Sequence, residues 1–166
     1  MADTIIIYYS LEGNVDFLAK ELSKELSKEL GADLCRLETV KEYPKKGLAK
    51  FFHGGKDVVY GIKPELKTAL PDLSKYSSVI LGTPVWAAKP VPPMNTFFDS
   101  ADFSGKNVSI FASSGGGNSK KCLSIMRETV TEKGGNLVAE EDFCNPLKKQ
   151  EESLTKLKAF AERIKK

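Results

Sequence analysis

Three short segments concentrate the residue types that could hold a ligand. Ser10-Leu11-Glu12-Gly13-Asn14-Val15 sets hydroxyl and amide side chains with a glycine just ahead of an amphipathic stretch. Such a turn leaves backbone N–H groups free at the positive end of a helix, which is a phosphate site in physical terms. Ser and Asn are also favoured N-caps, so the turn reads equally as a plain helix start. Thr83-Pro84-Val85-Trp86-Ala87-Ala88-Lys89 carries the only tryptophan, directly past an apolar run. A flat apolar wall there could stack on an aromatic ligand or could cover the end of a sheet. Ser113-Ser114-Gly115-Gly116-Gly117-Asn118 places three glycines in a row, which cost conformational entropy and bring no packing. Their use would be to let backbone N–H groups approach a ligand closely; a merely flexible loop is the other reading.

The elements that must position these segments alternate strand and helix. Thr4 to Tyr9 is a continuous apolar run of the kind buried on both faces of a parallel sheet. Val15, Leu18, Ala19, Leu22, Leu26 and Leu30 then fall on one helical face, and Gly31 ends the helix. Ala32 to Leu37 reads as a second strand. Between residues 38 and 77 the pattern is weak. Leu48, Phe51 and Phe52 suggest a short helix broken at Gly54-Gly55, and Pro64-Glu65-Leu66 a further helical turn. Ser78 to Gly82 is a buried strand, Pro92 and Pro93 suit a helix start, and Met94, Phe97, Phe98 and Ala101 form its apolar side. Asn107 to Ala112 reads as the fourth strand, Ser119 to Lys133 as a helix, Asn136 to Ala139 as the start of a fifth strand, and Glu151 to Ile164 as the final helix. This order predicts a doubly wound α/β fold of five parallel strands with helices on both faces, in a single domain spanning 1–166. Ligands in such folds bind beyond the carboxyl ends of the strands, where all three segments lie.

Composition removes several classes. The 166 residues are 41% hydrophobic and 28% charged, ordinary for a folded domain. No apolar run approaches the ~18 residues that would span a bilayer. Met1 to Thr4 has no basic or long apolar stretch, so no signal peptide is expected, and Ile164-Lys165-Lys166 has no prenylation cysteine. Cys35, Cys122 and Cys144 form no C-x-x-C pair, which points to reduced thiols and a cytoplasmic setting. With His53 the only histidine, no metal site is expected. Net charge is +3, of which residues 148–166 carry +4 and the remainder −1. No aromatic residues interleave with the C-terminal lysines, so neither a nucleic-acid nor a membrane partner is expected. A response regulator would need acids after strands one and three, where Tyr8-Tyr9-Ser10 and Gly82-Thr83-Pro84 stand. Cys122 and Arg127 are one residue short of a phosphatase anion loop, and no dinucleotide G-x-G-x-x-G follows strand one.

A phosphate hook, a stacking plate and a backbone clamp on one rim describe a phosphorylated flat ring system, and flavin mononucleotide (FMN) fits. The S-x-x-G-N turn, the G-T-P-V-W segment, the downstream P-P-M-N-T-F-F and the Ser/Gly-rich loop together resemble flavodoxins of the short-chain, FMN-binding type. The resemblance implies strand order 2-1-3-4-5 and FMN held non-covalently. It implies that Ser10, Glu12, Gly13, Asn14 and Val15 surround the phosphate by side chain or backbone. Thr83, Pro84, Val85 and Trp86 would approach the isoalloxazine, and Ser113, Ser114, Gly115, Gly116 and Gly117 its pyrimidine end. Val15 stands where the family often has a hydroxyl, and Ala87 and Ala88 where it commonly keeps a glycine, which implies weaker one-electron stabilisation. The chain also lacks the family's usual acidity. The expected function is electron carriage without a catalytic side chain, exchanging electrons with a redox partner protein or a small acceptor, as monomer or homodimer. The alternatives are a small quinone or NAD(P)H oxidoreductase, and a binding module that has lost FMN.

Overall fold

The computed structural model describes residues 3–27, 31–46 and 48–166. The expected inward Leu30 and the side chains of Leu48, Phe51 and Phe52 lie outside the described residues.

Five parallel strands run in the order β2 (Asp33–Arg36), β1 (Thr4–Tyr8), β3 (Ser78–Trp86), β5 (Asn107–Ser114) and β6 (Asn136–Cys144), with a two-residue β4 (Lys89–Pro90) antiparallel to the end of β3. Leaving out that short strand, the order is the expected 2-1-3-4-5. Successive side chains of β1 point to opposite faces, so Ile5 and Ile7 join one core layer while Ile6 and Tyr8 join the other. The Ile6–Tyr8 side is covered by α1 (Asn14–Ser27), through Val15, Leu18, Leu22 and Leu26, and by α5 (Gln150–Ile164), through Leu157, Phe160 and Ala161. The Ile5–Ile7 side packs on α3 (Pro92–Ser100), with Met94, Phe97 and Phe98, and on α4 (Lys120–Glu132), with Cys122, Met126 and Val130. Each fully buried large apolar side chain contributes about 1.5–3 kcal/mol. Covering both faces is what makes the strands read as continuous apolar runs. Among the described residues no helix is long and apolar enough to cross a membrane.

The structure departs from the sequence expectation in three places. β3 does not stop at Gly82 but continues to Trp86, because Thr83 and Pro84 still pair with Ala112 and Ser113 and because Lys89 and Pro90 fold back beside Val85 and Trp86. The hairpin turn is Ala87-Ala88, with φ of 46° and 62°; two positive φ angles define the turn whose twist matches a two-residue hairpin. Second, α2 (Leu48–Val59) passes through Gly54-Gly55 unbroken. Gly54 is buried against Trp86, and a Cβ there would stand 3.0 Å from the indole. The glycine is thus a place of close approach rather than a stop. Third, Pro64-Glu65-Leu66 is not helical. Leu66 bridges Thr39, Val40 N–H donates to Glu65 O at 3.0 Å, and Lys67 N–H donates to Glu38 O at 2.7 Å.

Candidate functional site

The connections after β1, β3 and β5 meet at the carboxyl edge of the sheet around a cleft of about 270 Å³. Its floor on one side is the turn before α1. Gly13, at φ 93°, donates its N–H to Ser10 Oγ at 3.2 Å, and its carbonyl accepts the first helical bond, from Phe17 N–H at 2.9 Å. The N–H groups of Asn14, Val15 and Asp16 precede that bond and have no acceptor within the helix. The Val15 side chain is buried with Leu18 and Ile6, so it serves the core and leaves only its N–H for the cleft.

Behind this turn lies a charged network that fixes its orientation. Arg36 on β2 donates from Nη2 to Ser10 O at 2.9 Å, and its Nη1 stands 3.5 Å from Asp16 Oδ1. Tyr8 OH donates to Asp16 Oδ1 and Lys20 Nζ reaches Asp16 Oδ2, both at 2.7 Å. Burial alone would raise the Asp16 carboxyl, but the bonds from Lys20 and Tyr8 and the charges of Lys20 and Arg36 outweigh it and hold it below the usual carboxylate range. Burial and the Asp16 bond push the Tyr8 phenol far above its ordinary value. The Ser10 carbonyl is thus taken up by Arg36.

Pro84, Val85 and Trp86 form the apolar wall. The indole is braced edge-on by Tyr43, with centroids 5.2 Å apart at 74°, and by Tyr9 at 5.9 Å and 88°. Tyr43 OH donates in turn to Asp57 Oδ2 at 2.9 Å, tying the bracket to α2. Burial pushes the Tyr9 phenol up to about 12. Beside the wall, Ser113 pairs with Pro84 in the sheet and Ser114 and Gly115 follow it, and a fourth segment holds them in place. Asn145, at φ 47°, donates from Nδ2 to Gly115 O at 2.7 Å and from its backbone to Ser114 O at 3.0 Å. Two residues on, Leu147 N–H donates to Asn14 Oδ1 at 3.3 Å. The β6–α5 connection therefore ties the third loop to the first.

A family model described as Flavodoxin matches residues 3–152. The chain belongs to the flavodoxin family. Among solved structures it is similar to a flavoprotein in complex with FMN from Lactobacillus acidophilus NCFM, with 23% identity, TM-score 0.68, and coverage of 90% of this chain and 98% of that one. Flavodoxin 2 from Bacillus cereus in its oxidised form gives 21% identity, TM-score 0.65, and coverage of 98% and 97%. A Fusobacterium nucleatum flavodoxin bound to flavin mononucleotide gives 15%, 0.63, 99% and 98%. At these identities the likeness is one of fold.

In this flavodoxin, Ser10, Glu12, Asn14, Val15, Pro84, Val85, Trp86, Ser113, Ser114 and Gly115 line the cleft together. Gly13, Thr83, Gly116 and Gly117 stand outside the lining. Gly13 makes the turn. Thr83 is fully buried; its Oγ1 donates to Pro84 O at 2.8 Å and accepts Val91 N–H at 3.3 Å, which ties the end of the wall to the start of α3. Gly116 faces open space, and Gly117, at φ 71°, packs on Cys144. Leu11 and Asn145 line the cleft without having been expected there. Leu11 is an unspecified position of the S-x-x-G-N turn. For Asn145 the signal was Asn145-Pro146 just past a strand, since Asn tolerates positive φ better than most residues.

Proposed function

We propose that this flavodoxin binds FMN in the cleft and carries electrons between partners. The observation that carries the reading is the convergence, on one rim, of a helix N-terminus with free N–H groups, a braced indole wall and a Ser/Gly clamp. These residues fit the group chemically. The N–H groups of Asn14, Val15 and Asp16 with the Ser10 hydroxyl would hold the phosphate; Trp86, Pro84 and Val85 would cover the ring; and Ser113, Ser114 and Gly115 would border its polar end. FMN supplies the redox chemistry, and the protein supplies position and electrostatics. The Tyr43–Tyr9–Gly54 bracket fixes the wall, and the Arg36–Ser10 bond anchors the loop. Glu12 is the one titratable side chain among the described lining residues, and electron transfer through an exposed flavin edge asks no acid or base of the protein. The unpaired thiols of Cys35, Cys122 and Cys144 suit a single domain working in a reducing cytoplasm, with a redox protein or small acceptor as partner.

The test is an absorption spectrum of the protein as isolated, then titration of the flavin-free chain with FMN followed by flavin fluorescence. Flavin bands and saturable one-to-one quenching are the expected result. A colourless protein that takes up no FMN would overturn the reading.

A further inference from the structure

We propose that the rim of this cleft is a basic docking face for an acidic redox protein; the proposal rests on the electron-carrier reading and names the chemistry of its partner. Six lysines adjoin the lining residues on four separate connections. Lys120 and Lys121 open α4 after the Ser113–Gly115 segment, Lys148 and Lys149 follow Asn145, Lys89 pairs with Trp86 across the hairpin, and Lys45 borders the groove beside Tyr9, Ser10 and Leu11. The acids near them are Glu12, Glu38, Glu42, Glu151 and Glu152, of which Glu38 faces Lys67 at 3.9 Å and Glu152 faces Lys149 at 3.8 Å. With Lys67 counted, cations exceed acids around the opening.

Lys120 and Lys121 distinguish this rim from an ordinary solvated lysine face. Both are exposed in the first turn of α4, where the helix dipole opposes a positive charge, and no acid shares that turn. Neither makes an ion pair among the described residues. Charge is thus placed where it weakens the helix and strengthens the positive potential of the cleft rim. A ring of charge around a redox cleft draws in a partner of opposite sign and orients it with its own centre toward the opening. A nucleic acid would meet the same charge but brings no redox centre to the edge.

The FMN-loaded protein, reduced with dithionite under argon, is mixed by stopped flow with an acidic b-type cytochrome and, separately, with a basic c-type cytochrome. Each reduced FMN returns to the oxidised form as two ferric haems become ferrous, and its protons pass to solvent. The expected rate with the acidic cytochrome falls roughly tenfold between ~0.02 and ~0.5 M salt, while that with the basic one rises. The pair Lys120→Glu and Lys121→Glu should slow the acidic partner roughly five- to tenfold at low salt, leave FMN affinity unchanged and raise rather than lower the melting temperature. A rate that ignores salt, a falling curve with the basic cytochrome instead, or an unaltered rate in the reversed variant would overturn the proposal. So would displacement of the acidic cytochrome by equimolar duplex DNA, which would mark a general polyanion surface. Docking is also read without flavin, from amide shifts of residues 113–121 and 145–149 in the flavin-free chain on adding the oxidised acidic cytochrome. If FMN fails to bind yet these shifts appear, the electron-carrier reading falls and the docking face stands.

Discussion

Ala87 and Ala88 form a hairpin turn that L-amino acids other than Asn, Asp and Gly rarely adopt, and replacing both with glycine should stabilise the protein. Their φ angles are 46° and 62°, and both side chains are exposed, so removing two methyl groups forfeits no core packing. Holding a non-glycine residue in the left-handed region costs about 1–2 kcal/mol. Glycine returns about 0.4–1 kcal/mol of that through its freer unfolded chain. The balance favours glycine by about 0.5–1 kcal/mol per position, or about 1–2 kcal/mol for Ala87→Gly with Ala88→Gly together. With a urea slope of about 2 kcal/mol/M, the double variant should shift the unfolding midpoint upward by roughly 0.5–1 M. The assay is urea denaturation followed by far-ultraviolet circular dichroism without added FMN, on both single variants and the double, since adjacent positions couple. Ala88→Val is the counter-test: a β-branched residue at positive φ should lower the midpoint by more than glycine raises it. A double-glycine variant with a lower midpoint and an unchanged slope would refute the strain argument. It would mean that the hairpin relaxes at no expense, or that the two methyl groups pack where the structure leaves them exposed.

Other parts of the molecule give equally direct expectations. Asp16 is held below its ordinary range in the folded chain, so its contribution is present above the unfolded carboxylate value, 3.8, and is lost as pH falls through the lower folded value. Asp16→Asn should therefore destabilise at pH 7 by roughly 1–3 kcal/mol and flatten the acid limb below pH 4, read from melting temperature against pH. On the alkaline side, Tyr9 in the folded chain holds its proton up to about 12, whereas an unfolded tyrosine releases it near 10. Stability should fall as pH rises from about 10 to about 12, and Tyr9→Phe should soften that fall; an alkaline loss of circular dichroism that is the same in Tyr9→Phe would contradict it. At Gly82 an added Cβ would come within 2.3 Å of the Phe111 ring inside the sheet. Gly82→Ala should destabilise by about 1–3 kcal/mol or more by overpacking, and Phe111→Leu in the same chain should recover part of the loss in denaturant midpoint.

How much of this could be read from the sequence follows from which interactions are local. Ile5, Ile6 and Ile7 announce a strand buried on both faces, and Leu18, Leu22 and Leu26 a helix with one apolar stripe, because period and burial are written into neighbouring residues. The turn Ser10–Val15 was legible for the same reason: its glycine, its hydroxyl and the helix it opens are adjacent. What was not legible depends on partners far along the chain. Nothing near Gly54-Gly55 says that an indole, Trp86, will press against that helix, so a glycine pair that permits close approach looks like a helix break. Nothing in Val85-Trp86 says that Lys89 and Pro90 will fold back beside them.

The site shows the same division. Its three loops could be found because each carries an unusual local composition, yet none of them explains what holds it in place. Ser10 O is fixed by Arg36, 26 positions away; Gly115 O by Asn145, 30 away; and Asn14 by Leu147, 133 away. Arg36 is a plain residue in an ordinary context and Asn145 is marked only by its place before Pro146 past a strand; both gain their role only when the sheet sets β1 beside β2 and β5 beside β6. A parallel sheet brings every strand's carboxyl end to one edge, so connections distant in sequence become neighbours there. Ligand-facing residues on such an edge are marked by composition, whereas the residues that orient them are marked chiefly by topology.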